Sequence, residues 1–279
     1  MGIGGIDNLK LRNHLLLNVF LLLSVLVVLV PFIWMLTVSL SPSSDPFRRV
    51  AFLIPTSFSL EGYLQVFQQA PLAHWFMNSV LLTSVLTAGQ LMLGVLAAYA
   101  FARYRFRGRE TLFFFVLCTM MIPPQAIMLP VYLVVNSFDW VNSYKGVIIP
   151  HIASAYAIFV LRQFFMAIPR ELEEASRVDG CHSVQTLYHI YLRASVPTLF
   201  GVGLIQFVNN WNDYYWPFLI LNDEMKMTLT VAIVQFRNDS YIEWVPTMAA
   251  ATLSVLPVIG IYVLAQRYFT ESSLQSGIK

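Results

Sequence analysis

An all-α polytopic membrane protein with six transmembrane helices is the fold class that this sequence predicts, and three observations predict it. The 279 residues are 57% hydrophobic and only 11% charged, with a mean hydropathy of +0.65. Soluble domains run near a quarter charged, and a soluble chain has nowhere to hide so much apolar surface. Six apolar stretches, near 15–40, 75–102, 111–135, 146–161, 197–221 and 245–265, five without a charge and the fifth with Asp213 alone, approach or exceed the roughly 20 residues a helix needs to cross a bilayer. The basic residues are also unevenly divided. Twelve of the seventeen Lys and Arg lie in 1–14, 103–109, 162–193 and 267–279, against Arg48, Arg49, Lys145, Lys226 and Arg237 in the alternate segments. Such an excess marks the cytoplasmic side, so both termini and the loop around Glu174 are expected there.

Taken in order, 1–40 is the N-terminus with the first span. That span is too long for a signal-peptide core and has no convincing small-residue cleavage site, so it is expected to be retained. The segment 41–73, with Pro46, Pro55 and Pro71, reads as an external loop with a short amphipathic helix leading into the second span. The second span carries Ser79, Thr83, Thr87 and Gln90 on one face, the small polar residues that bind membrane helices together or line a path between them. The third ends in Met121-Ile122-Pro123-Pro124-Gln125, followed by Pro130, which forbids a straight helix. A helix broken at membrane depth lines protein or a water-filled cavity. Phe113, Phe114 and Phe115 are lipid-facing or core. The fourth span is the shortest, and Arg162 at its end is expected to snorkel to the interface. Residues 74–270 thus form a five-helix core containing a charged loop at 167–197, and 271–279 is a polar tail. Cys118 and Cys181 give no disulfide framework, and the five histidines show no metal-ligand pairing.

The 167–197 loop is the part of the chain least like membrane. Pro169 suits a first helical turn, where its missing N–H costs nothing. Glu171, Glu173 and Glu174 then complement the positive end of the helix dipole. Gly180 sits where a left-handed residue would stop that helix. Ser183 is expected to cap a second helix from Val184 to about Ala194, with Val184, Leu187, Tyr188, Tyr191 and Leu192 at three- and four-residue spacing. The result is a helix–turn–helix that either docks on a partner or lies on lipid headgroups.

In the fifth span Gln206, Asn209, Asn210 and Asp213 recur at i, i+3, i+4 and i+7, placing them on one helical face. Asp213 is the one carboxylate well inside a span, where a charge costs at least about 2.5 kcal/mol and faces a cavity or a partner. The face is a substrate path or an interhelical hydrogen-bonding seam.

Glu174-Ala175-Ser176, three residues, Gly180, nine residues, then Ile190-Tyr191-Leu192 resembles the cytoplasmic "EAA" loop of the membrane subunits of bacterial ABC importers. Trp211-Asn212-Asp213-Tyr214-Tyr215-Trp216-Pro217 and Leu53-Ile54-Pro55 through Asn78-Ser79 resemble segments of carbohydrate-type permeases, and the likeness runs from about Pro31 to the C-terminus. Two departures stand out. Ser176 replaces the second Ala, and Arg193 stands where Pro is expected, which leaves the end of the second helix open. The resemblance is to the smaller, maltose-type permease subunits of binding-protein-dependent carbohydrate uptake, in the bacterial inner membrane.

What it implies is a non-enzymatic subunit that carries an oligosaccharide, polyol or sugar phosphoester. Glu173, Glu174, Ala175, Ser176, Asp179, Gly180, Ile190 and Leu192 would couple it to an ATPase, and Gln206, Asn209, Asn210 and Asp213 would line the path. The implied partners are a second permease, two copies of an ABC ATPase, an extracytoplasmic substrate-binding protein and membrane lipid, with no nucleic acid. No GxxxxGK[ST] loop is present, so ATP and Mg belong to the separate ATPase and this chain needs no cofactor or metal. An ion-gradient-driven transporter, or a permease for a non-sugar solute, is the alternative. An intramembrane enzyme would need a nucleophile–base or metal-ligand pair inside the spans, which the sequence lacks.

Overall fold

The computed structural model describes residues 4–42, 57–236 and 243–276, and among these every regular element is helical. The chain divides into two compact units, Met1–Ala70 with Ile233–Leu253, and Pro71–Ala232 with Ser254–Lys279.

In the first unit, α1 (Gly4–Ser39) carries an apolar run whose side chains are mostly exposed, as a lipid-facing helix requires. It stops where hydroxyls take over its last carbonyls. Ser39 Oγ donates to Leu36 O at 2.8 Å and Ser41 Oγ to Thr37 O at 2.7 Å. The short helix expected before the second span is α2 (Glu61–Gln69), tied to Ser39 by the Tyr63 hydroxyl at 2.9 Å. Expectations for Pro46, Arg48, Arg49, Pro55, Arg237 and Lys279 lie outside the described residues.

The second unit is built on α3 (Leu72–Arg103), an unbroken helix about 48 Å long at 1.5 Å per residue. Its buried face runs through Ser79, Thr83, Leu86, Gln90, Gly94 and Ala98 at three- and four-residue spacing. Broken helices pack around it. α4 (Arg109–Thr119) and α5 (Pro124–Ser137) meet at 101°, with Pro123 extended between them and Pro124 opening the second arm. The prolines break the third span as the sequence requires. α6 (Tyr144–Ile148) passes through a 3-10 turn, Ile149–His151, into α7 (Ala155–Ala167), bent by 40° and restarted by Ser154 Oγ, which accepts from Ala157 N–H at 3.2 Å.

α8 (Arg170–Val178) and α9 (Ser183–Thr186), the latter continuing as a π-helical segment Leu187–Leu192, form the 167–197 loop. α10 (Val196–Trp211) leaves that loop at 83°. α11 (Tyr215–Ile220) and α12 (Leu229–Ala232) follow, and α13 (Trp244–Ser276) contributes to both units. Among the described residues three helices are long and apolar enough to span alone. Up to six membrane-capable elements result if each of three bent pairs counts as one, the third pair joining Ser183–Leu192 of the loop to α10.

α7 and α10 lie on the buried face of α3. Gly94 permits this approach, since a Cβ there would stand 3.0 Å from Ala157 Cβ. One apolar cluster, with Val95, Tyr99, Leu161, Phe165 and Tyr191, fills the Arg103 end; another, with Leu82, Val147, Trp216 and Ile220, fills the opposite end. Thr83, Thr87 and Gln90 form a polar layer between them.

Arg162 corrects an expectation. It does not snorkel: its side chain is 8% exposed, its Nη2 donates to both Glu110 carboxylate oxygens at 3.0 and 3.1 Å, and its guanidinium lies 3.8 Å from the Phe113 ring centroid. A carboxylate and a ring face within reach compensate the charge where it stands. Phe113 is therefore core, while Phe114 and Phe115 point outward. Both cysteines are free. Gly94→Leu is expected to lower stability by about 1–3 kcal/mol through overpacking against Ala157. The thermal unfolding midpoint in detergent reads this, with Gly260→Leu, where an added Cβ meets nothing within 4 Å among the described residues, leaving it unchanged.

Candidate functional site

The 167–197 loop is an exposed helix–turn–helix fixed at its root. Pro169 stands one position earlier than expected, at the N-cap in extended conformation, and α8 begins at Arg170. The helix stops at Gly180, whose φ is +80°. Gly180 N–H donates to Arg177 O at 3.0 Å and Cys181 N–H to Ser176 O at 2.9 Å, the paired bonds of a Schellman turn. The second helix is capped by His182, not Ser183: the Gln185 side-chain oxygen accepts from His182 N–H at 2.8 Å. Nor is it a plain α-helix to Ala194, because Leu187–Leu192 widens into π geometry before α10 restarts at Val196.

This geometry sorts the residues expected to couple. Glu174, Ala175, Asp179 and Gly180 are exposed, alongside the bare apolar side chains of Val178, Val184 and Tyr188. Glu173 and Ser176 turn inward. Glu173 accepts from the Tyr191 hydroxyl at 2.9 Å and from Arg177 Nη2 at 2.7 Å, and lies 3.9 Å from Arg103 Nε. Ser176 Oγ donates to Glu173 O and meets Thr186 Oγ1 at 3.0 Å, joining the two helices. Ile190 and Leu192 are half-buried against the apolar cluster beneath.

Arg103, the last residue of α3, completes the root. Its guanidinium sits 5.0 Å from the Tyr191 ring centroid, and its Nη2 donates to Phe165 O at 2.7 Å and to Ile168 O. Sequence reasoning used Arg103 only as a topology marker. That a basic residue closes the second span was visible; its partner 70 positions on was not.

The second constellation is a cavity of about 580 Å³ beside the polar layer of α3, within the range of small-molecule sites. Gln206, Asn209, Asn210 and Asp213 all line it. They do not share one continuous helix: α10 ends at Trp211, and Asp213 lies in the break before α11, its Oδ1 3.5 Å from Trp216 N–H. Pro217 was the available signal, since a proline cannot donate to the carbonyl four residues earlier, that of Asp213. Asn210 Nδ2 donates to Thr87 Oγ1 at 3.1 Å and to Gln90 Oε1 at 2.9 Å, so this residue is both interhelical bond and cavity wall. Gln206 is buried and Asn209 exposed. Of the α3 stripe, Ser79, Thr83 and Gln90 reach the cavity, and Thr87 serves packing.

His151 and Thr228 also line the cavity and were not anticipated. His151 Nε2 and Thr228 Oγ1 are buried without a hydrogen-bond partner. Among the described residues no group of His, Cys, Asp and Glu is arranged to hold a metal.

A profile of the family described as "Binding-protein-dependent transport system inner membrane component" matches residues 90–272. The chain is 31% identical over 265 residues to the probable ABC transporter permease protein YurM of Bacillus subtilis, covering 94% of this chain and 87% of that one. It is 30% identical to the arabinooligosaccharides transport system permease protein AraQ of Halalkalibacterium halodurans, covering 89% and 90%. A crystal structure of a bacterial ABC transporter involved in the import of the acidic polysaccharide alginate contains a chain that superposes with a TM-score of 0.79 at 25% identity, covering 96% of this chain and 99% of that one.

Glu173→Ala removes the acceptor of the Tyr191 hydroxyl and of Arg177 and the carboxylate beside Arg103 at the root of the loop. Amide exchange across residues 170–192 is expected to quicken by about tenfold or more, matching the roughly 1–3 kcal/mol lost when a buried polar group goes unpaired. Glu174→Ala should leave exchange unchanged.

Proposed function

Because the chain belongs to the family of binding-protein-dependent transport system inner membrane components, we propose that it is the permease subunit of an ATP-driven importer for a sugar or sugar derivative. One wall of the translocation path is the cavity beside α3, and the 167–197 loop docks on a separate ATPase. The observation that carries this reading is a single connection. The exposed helix–turn–helix is fastened through Arg103 to the same unbroken helix whose middle lines the cavity.

In this reading Glu174, Asp179 and the bare side chains of Val178, Val184 and Tyr188 meet the ATPase, while Glu173, Ser176, Ile190 and Leu192 hold the loop to the membrane core. The ATPase binds ATP and Mg, and two copies sit on the cytoplasmic face beneath this chain and a second, pseudo-symmetric permease. An extracytoplasmic binding protein delivers solute. ATP-driven closure of the ATPases draws the two loops together, α3 carries the movement upward, and the path changes its open side. Both termini are cytoplasmic.

Coupling is tested in the purified complex. Gly180→Val forces a β-branched residue into a left-handed conformation, and Glu174→Lys reverses a charge on the docking face. Each is expected to reduce binding-protein-stimulated ATP hydrolysis at least fivefold while the subunit still reaches the membrane and assembles. Wild-type rates in both would remove the loop from the coupling step. Orientation is tested separately: with Gly180→Cys and Asp223→Cys in cells, an impermeant thiol reagent added outside should modify position 223 and spare position 180.

A further inference from the structure

The cavity wall has an electrostatic character that narrows what passes along it. Its lining includes amides, hydroxyls and aromatic rings, with Asp213 as its sole carboxylate and no Lys or Arg among the described lining residues. Among the described residues Asp213 makes no ion pair, and its Oδ1 lies 3.5 Å from the Trp216 N–H. The remaining polar groups are amides, hydroxyls, indoles and the His151 imidazole, and two of their atoms, His151 Nε2 and Thr228 Oγ1, are buried without a partner, Thr228 being 6% exposed. Buried polar atoms left unpaired in a protein are satisfied by water or by ligand. Those donors and acceptors, set among Trp211, Tyr215 and Trp216, match hydroxyls and the apolar faces of sugar rings.

A phosphate or uronate finds no such match. It would meet a carboxylate with no cation to offset it, in surroundings where the low dielectric strengthens repulsion. We propose that the wall built by this chain selects for an uncharged, hydroxyl-bearing solute, with Asp213 as the specificity-determining residue that turns anions away. This rests on the reading of the cavity as the translocation path.

The test uses the whole complex in membranes, with Cys118→Ala and Cys181→Ala in this chain and Asn209→Cys as the reporter. Cationic, neutral and anionic methanethiosulfonates of similar size are applied at low ionic strength in each nucleotide state, and rates are normalised to those of a free thiol. The normalised cation-to-anion ratio at position 209 is expected to be about tenfold or more, falling at least threefold with Asp213→Asn and kept by Asp213→Glu. Should Asp213→Asn fail to assemble, Thr228→Lys must lower the ratio in the same direction. A ratio at or below one, or one insensitive to these substitutions, overturns the selectivity while leaving the path intact. If position 209 is unreactive to all three reagents in every nucleotide state of an active complex, the path reading itself falls, and this inference with it.

Discussion

A helix that breaks or ends leaves peptide groups without an intrahelical partner, and this fold contains several such breaks and ends. Several of the partners come from one element. Side chains of α3 reach out to the interrupted backbone on every side. Trp75 donates to Glu224 O, Asn78 to Met225 O and Met227 O, and Ser79 accepts from Leu229 N–H. Gln90 donates to His151 O, and Arg103 to Phe165 O and Ile168 O. A straight, polar-striped helix makes bent neighbours tolerable, and bent neighbours make room for a cavity. The two features are one solution to the same constraint.

The stripe therefore answers a question that its composition leaves open. Small polar residues on a membrane helix serve packing or a path, and here the division runs residue by residue. Thr87 is spent on Asn210, whereas Ser79 binds a backbone amide and still borders the cavity. Asn78 is fully committed, with the Tyr144 hydroxyl donating to its Oδ1 at 2.7 Å. His151 and Thr228, which nothing in the sequence distinguishes from packing residues, keep a polar atom unspent.

What could be read from the sequence was what local chemistry dictates. Six apolar stretches follow from composition, the 101° bend from Pro123 and Pro124, and the left-handed stop at Gly180 from the needs of a helix C-terminus. What escaped was decided by partners far along the chain. Glu173 and Glu174 are adjacent and chemically alike, yet about 100° apart on a helix, and one faces in while the other faces out. Only Tyr191 and Arg103 decide which. Arg162 had an ordinary reason to stretch toward water, and Glu110, 52 positions earlier, removed it. Asp213 lay within reach of local reasoning, since Pro217 dictates the break beside it. Spacing alone put it on one continuous helix, whereas it lines the cavity from the break after Trp211.

An unbroken α3 also behaves as a lever. Its neighbours are bent at their own breaks, whereas a rod about 48 Å long converts angle into distance. A tilt of about 5° about one end would carry the other through roughly 4 Å, more than the reach of a hydrogen bond. The tethers along its length connect to the carbonyls of several different segments, so such a tilt would move those bonds by unequal amounts, least near the pivot and most at the far tip. Stiffness in this one helix would then set how finely a displacement at the Arg103 end is graded along the cavity wall.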